Sequence, residues 1–84
     1  MPLPTVLLYG RPDCHLCDEA RAGLEQMRSE GVRFELREVD IESDHALLRS
    51  HLERIPVIEV DGTEVCELGL DRGAVRARLG TVST

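Results

Sequence analysis

The sequence has no tryptophan and only one tyrosine and one phenylalanine, Tyr9 and Phe34. Its core must therefore be built from Leu, Val, Ile and Ala. The aromatic platforms on which single-stranded nucleic acid stacks are missing. Lysine is absent as well, all ten basic residues being arginine. That excludes Schiff-base chemistry and the lysine of a phosphate-binding loop. Sixteen acidic residues outweigh the arginines and leave a net charge of −6. This is the wrong sign for a phosphate backbone or an anionic membrane surface, so neither partner is expected. Long apolar runs are lacking too. Val6-Leu7-Leu8 is as long as any aliphatic run, against the roughly 20 residues of a membrane-spanning helix. The first residues show no basic region followed by a secretory apolar stretch, and a cytoplasmic protein is expected.

Cysteine is scarce. Three residues, Cys14, Cys17 and Cys66, are too few and odd in number for a disulfide framework. In a reducing compartment a Cys14-x-x-Cys17 pair is more often catalytic or metal-binding than structural.

What is present fits one domain over residues 1–84, with a core from about 3 to 80 and a frayed tail at 81–84. Thr5-Val-Leu-Leu-Tyr9 has strand length and no alternation, which suggests a strand covered on both faces. It is closed by Gly10 and Pro12. A helix is expected from Cys14 to Glu30, because Cys17, Ala20, Leu24 and Met27 share one face. Gly31 stops it. Val32, Phe34 and Leu36 alternate with charged residues and read as a second strand. Val39-Asp40-Ile41 continues it out of phase. Ser43 or Asp44 caps a short helix carrying Ala46, Leu47, Leu48 and Leu52. Pro56–Val60 and Thr63–Glu67 read as two strands joined by an Asp61-Gly62 turn. Asp71 caps a last helix bearing Ala74, Val75 and Leu79, with Gly80 as its stop. The order is β-α-β-α-β-β-α. The first crossover makes strands one and two parallel. A four-stranded mixed sheet flanked by helices follows.

Cys14 stands directly after a strand and at the start of a helix. The nucleophile of disulfide exchange is the thiolate, and a helix N-terminus stabilises it with unpaired N–H groups and a partial positive charge. Cys17 lies within the first turn on the same side. This geometry makes Cys14 the exposed attacker and Cys17 the buried resolver. Half of a zinc site has the same spacing, but a structural site wants four ligands. The distant candidates are Cys66, His45 and His51. His45 and His51 are six apart, do not share a helix face and read as solvated. No metal site is expected.

Leu8-Tyr9-Gly10-Arg11-Pro12-Asp13-Cys14-His15-Leu16-Cys17 resembles the active-site segment of the glutaredoxin-like branch of the thioredoxin superfamily. Val39-Asp40-Ile41-Glu42 resembles that superfamily's second strand end. Ile55-Pro56-Val57 resembles its cis-proline segment, and Val60-Asp61-Gly62 its hairpin turn. The resemblance covers about residues 3 to 80. It implies a thioredoxin-like fold and a cis bond at Pro56, facing the cysteine pair and leaving the Ile55 backbone free to pair with a bound peptide. It also places a basic residue at Arg11. Two features depart from the pattern. His15-Leu16 replaces the usual pair between the cysteines. Cys66-Glu67-Leu68-Gly69-Leu70-Asp71 lacks the Gly-Gly that holds glutathione, so glutathione binding does not carry over.

Arg11 can bind a substrate carboxylate or support the thiolate. His15, as a cation, would favour the thiolate, whereas Asp13 and Asp18 oppose it. Cys66 reads as a small packed hydrophobe, or as a third redox thiol at the lost Gly-Gly position. The expected function is dithiol–disulfide oxidoreduction by a monomer that needs no cofactor. The substrate is a protein or small-molecule disulfide, and glutathione or a disulfide reductase supplies the electrons. Two alternatives stay open. One is a non-enzymatic carrier of an iron–sulfur cluster or metal ion, and the other is a redox sensor module.

Overall fold

The computed structural model describes residues 3–82. Strand β1 (Thr5–Gly10) leads to helix α1 (His15–Ser29), strand β2 (Glu35–Asp40) and a single 3₁₀ turn at Ile41–Ser43. Helix α2 (His45–His51), strands β3 (Val57–Val60) and β4 (Thr63–Glu67) and helix α3 (Arg72–Val82) complete the chain. The sheet order is β2-β1-β3-β4. β1 is parallel to β2 and antiparallel to β3, which is antiparallel to β4. This is the mixed, helix-flanked sheet of a thioredoxin-like fold.

Alternation along β1 divides the layers. Val6 and Leu8 are buried and join Ile58 and Val60 on one face of the sheet. Ala20, Leu24 and Met27 of α1 and Val75 and Leu79 of α3 pack on that face. The opposite face, which carries Leu7 and Tyr9, is only half-buried. α2 lies on that side, where the Tyr9 ring meets the ring of His51 with centroids 4.8 Å apart. The expected covering of β1 on both faces is therefore unequal, because a two-turn helix shields less than α1 and α3 together.

Local chemistry sets the element ends. Gly31 takes φ +102°. The amide of Val32 reaches the carbonyl of Met27 at 3.0 Å and that of Gly31 reaches Arg28 at 3.0 Å, so the last carbonyls of α1 are satisfied. Asp44 caps α2, its carboxylate accepting from the Ala46 amide at 2.7 Å. Asp71 caps α3 through the Ala74 amide at 3.0 Å. Asp61 (φ 47°) and Gly62 (φ 86°) make the turn of the β3–β4 hairpin, both in the left-handed region.

Two boundaries differ from the sequence reading. The second strand runs over 35–40 rather than from Val32 through Ile41. Val32, Phe34 and Leu36 do pack on the core. Pairing begins only at Glu35, however, because β1 itself starts at Thr5, its partner. Helix α3 also runs through Gly80 to Val82 instead of stopping at the glycine. Thr81 and Val82 of the expected tail are thus helical, and Ser83 and Thr84 lie outside the described residues.

Candidate functional site

The sheet register gathers three chain segments at one end. Tyr9 pairs with Val57, and Val57 with Glu67. The exit of β1, the entry of β3 and the exit of β4 therefore lie side by side. The β1 exit leads through Arg11, Pro12 and Asp13 to Cys14. The β3 entry carries Ile55-Pro56, whose peptide bond is cis. The β4 exit carries Leu68, 59% exposed, whose amide donates to the Arg54 carbonyl at 2.9 Å.

Cys14 is the N-cap of α1, and the Cys17 amide donates to its Sγ at 3.2 Å. That N–H would stay on a thiolate at Cys14 and favour its charge. Cys14 and Cys17 are joined as a disulfide. Their burial is unequal: Cys14 is partly exposed, whereas Cys17 is 1% exposed. Gly10 makes room for Cys17, since a Cβ on Gly10 would stand 2.9 Å from its Sγ.

The charges near the pair partly cancel. Asp18 bonds Arg21 at 3.0 Å, and Arg21 also bonds Glu38 on β2. His15 Nε2 stands 3.6 Å from the Glu19 carboxylate, both side chains well exposed, so the ring lies along the helix surface. Asp13 sits at φ 61°, a conformation that aspartate tolerates better than most residues. Arg11 is exposed and has no ion-pair partner among the described residues. It lines a cleft of about 360 Å³ on the β2 side of the pair, with Pro12, Cys17, Asp18, Glu38 and Asp40. The sequence reading missed Glu38 and the ion-paired Arg21. Their positions follow from the parallel β1–β2 register, which no local pattern encodes.

Two expectations change, and for Cys66 the packing reading is favoured over the third-thiol one. His51 is not solvated but 9% exposed, because it ends α2 against Tyr9. The Ile55 amide is not free, for it donates to the His51 carbonyl at 3.1 Å. Any peptide pairing at Ile55 must use its carbonyl. Cys66 pairs opposite Ile58 and packs against the core. Burial pushes its thiol up, and the charge of Asp71 adds to this against an opposing backbone hydrogen bond. A thiol so held is a poor nucleophile at neutral pH, which favours its packing role.

Residues 5–80 match the model of the Glutaredoxin-like domain family (DUF836). The chain belongs to this glutaredoxin-like family. A solution structure of protein Ne2328 from Nitrosomonas europaea is similar to it at 30% identity and TM-score 0.81, covering 93% of each chain. The X-ray structure of protein XcR50 from X. campestris is similar at 35% identity and TM-score 0.72, covering 92% of this chain and 97% of that one. A malarial protein at 18% identity and TM-score 0.64 shares the fold. No curated protein matches the sequence. The glutaredoxin-like fold and the Cys14–Cys17 pair at disulfide distance fit a redox C-x-x-C motif. No helix among the described residues is long and apolar enough to cross a membrane.

Proposed function

We propose that this glutaredoxin-like protein is a dithiol–disulfide oxidoreductase in which Cys14 attacks and Cys17 resolves. The observation that carries the reading is the unequal burial of a disulfide-linked pair at a helix N-terminus. The Cys14 thiolate attacks one sulfur of a substrate disulfide. The other sulfur leaves as a thiolate and takes up a proton. Cys17 then gives up its proton and attacks the Cys14 sulfur, which expels the remaining substrate thiolate. The substrate gains two electrons and two protons, and Cys14–Cys17 ends oxidised. An external thiol donor, glutathione or a disulfide reductase, returns it to the dithiol.

Arg11 supplies the cation for a substrate carboxylate, since it is exposed beside the pair and unpaired among the described residues. His15, next to Cys14 on the exposed first turn, meets the incoming substrate. Ile55 and Pro56 lie at the same end of the sheet as the pair, and Ile55 offers its carbonyl to an extended substrate. In this reading the chain works as a monomer in a reducing, cytoplasmic environment and needs no cofactor for exchange.

The test is a trapping experiment. With a protein disulfide as substrate, Cys17→Ser accumulates a mixed disulfide, seen as an added mass on Cys14. Cys14→Ser forms none and loses turnover. Trapping by Cys14→Ser instead would overturn the assignment. Supplying glutathione with its reductase, and separately thioredoxin reductase with NADPH, identifies the donor.

A further inference from the structure

A second cluster of polar side chains lies on the sheet face beneath α2. Glu59 on β3 and Glu64 on β4 stand opposite each other in the register. Two like charges so placed repel and need compensation. His51, nine-tenths buried at the end of α2, stands over them. One of its ring nitrogens and one carboxylate oxygen from each glutamate all lie within 4.8 Å of one another. Nδ1 of His51 bonds the Ser50 hydroxyl at 2.6 Å. Its Nε2 has no hydrogen bond among the described residues. Nε2 is thus the ring nitrogen left to take a ligand.

Arg54 supplies part of the compensation. It bonds both Glu64 oxygens, at 3.0 and 2.9 Å, and reaches Glu67 at 3.4 Å. Glu59 has no ion-pair partner among the described residues. The remaining titratable neighbour is Tyr9, whose hydroxyl is pushed up by burial and then by Glu59.

We propose that His51, Glu59 and Glu64 bind one divalent transition-metal ion of the zinc class. One imidazole nitrogen and two carboxylate oxygens suit zinc, with water at the fourth position. Magnesium and calcium favour all-oxygen sets and are poorly served by a histidine. Zinc bonds of about 2.0–2.2 Å put tetrahedral ligand atoms roughly 3.4 Å apart, so the three side chains close in by rotamer adjustment. One Glu64 oxygen leaves Arg54, whose guanidinium keeps the other oxygen and Glu67. The ion ties the end of α2 to the β3–β4 hairpin. The His51 carbonyl accepts from the amides of Arg54 at 2.8 Å and Ile55 at 3.1 Å. Metal at His51 therefore steadies the turn that delivers Ile55-Pro56 to the cysteine end of the sheet.

Thiols must be removed from the test because they also bind zinc. The full chain with Cys66→Ser, oxidised at Cys14–Cys17, carries none. Calorimetric titration with zinc chloride should give one ion per chain, and magnesium chloride no binding at the same concentrations. In that background Glu59→Gln and His51→Ala should each weaken zinc at least tenfold. His45→Ala, which changes an exposed histidine, should leave it unchanged. Glu59 is only half-buried, so its isosteric variant keeps the test valid if His51→Ala does not fold. Absence of zinc binding at millimolar concentration overturns the proposal. So does wild-type affinity in Glu59→Gln, or a loss in His45→Ala equal to that in Glu59→Gln.

Discussion

Leu24 is the sharpest test of how α1 is seated on the sheet. It is fully buried, among Val6, Leu8, Met27, Phe34, Ile58 and Val60. Truncation to alanine removes its transfer free energy and leaves a cavity that strands on both sides of β1 cannot readily collapse. Fully buried Leu→Ala changes cost about 3–5 kcal/mol. A domain of this length is stable by about 4–13 kcal/mol in total. Leu24→Ala should therefore remove about a fifth of the stability at the least, and unfold the chain outright if it sits at the low end. In a domain this small each kcal/mol moves the melting temperature by about 4–8 °C, so a fall of at least about 12 °C is expected. Urea unfolding followed by circular dichroism should show a lower midpoint at unchanged slope, since the native and unfolded surfaces hardly differ. Glu25→Ala, one residue on and exposed, should stay within about 0.5 kcal/mol of wild type. The Cys14–Cys17 disulfide should still form in whatever fraction remains folded, because its cap bond lies in the first turn of the helix. A loss below about 1 kcal/mol, or one no larger than that of Glu25→Ala, would refute the packing of α1 described above.

Gly31→Ala should destabilise by about 1 kcal/mol or more in the same urea assay, although a Cβ there meets nothing, because φ +102° is itself unfavourable for alanine. The Arg54 guanidinium holds the Glu64 carboxyl below the usual range. A carboxylate held low when folded adds stability above its unfolded value and loses it as pH falls through the folded one. Melting temperatures taken downward from pH 5 should therefore fall more steeply for wild type than for Arg54→Ala. Cys66 is the sole free thiol among the described residues when Cys14 and Cys17 are joined. Its alkylation by iodoacetamide at pH 8 should be slower in the native protein than in urea, and should accelerate toward higher pH, since burial holds the thiol neutral.

Much of the fold was readable because its signals are local. The Asp61-Gly62 turn, the Gly31 stop and the Asp71 cap each depend on a residue's own backbone preference or on a hydrogen bond a few residues away. Errors arose where the deciding partner was remote. The alternation of Val32, Phe34 and Leu36 correctly gave the face turned to the core. It could not give the start of β2, which is fixed by where β1 begins. Gly80 has the look of a helix stop, but a glycine ends a helix only by adopting positive φ, and here α3 simply continues through it.

The two polar clusters separate for the same reason. Cys14 and Cys17 are three residues apart on one helical turn, so their spacing already contains their geometry. His51, Glu59 and Glu64 come from three elements, and nothing in their spacing brings them together. His51 looked like a solvated residue at the end of a short helix. The antiparallel β3–β4 register puts Glu59 opposite Glu64, and the connection from α2 into β3 places His51 above both. The same connection carries Ile55 and Pro56. Its amides at Arg54 and Ile55 are spent on the His51 carbonyl, and its Arg54 carbonyl accepts the Leu68 amide. The segment at the cysteine end of the sheet is thus held through the backbone carbonyl of a residue in the cluster the sequence did not reveal. If the chain works as the oxidoreductase proposed above, a change at His51 should slow exchange with a protein disulfide even though no atom of His51 meets the cysteines.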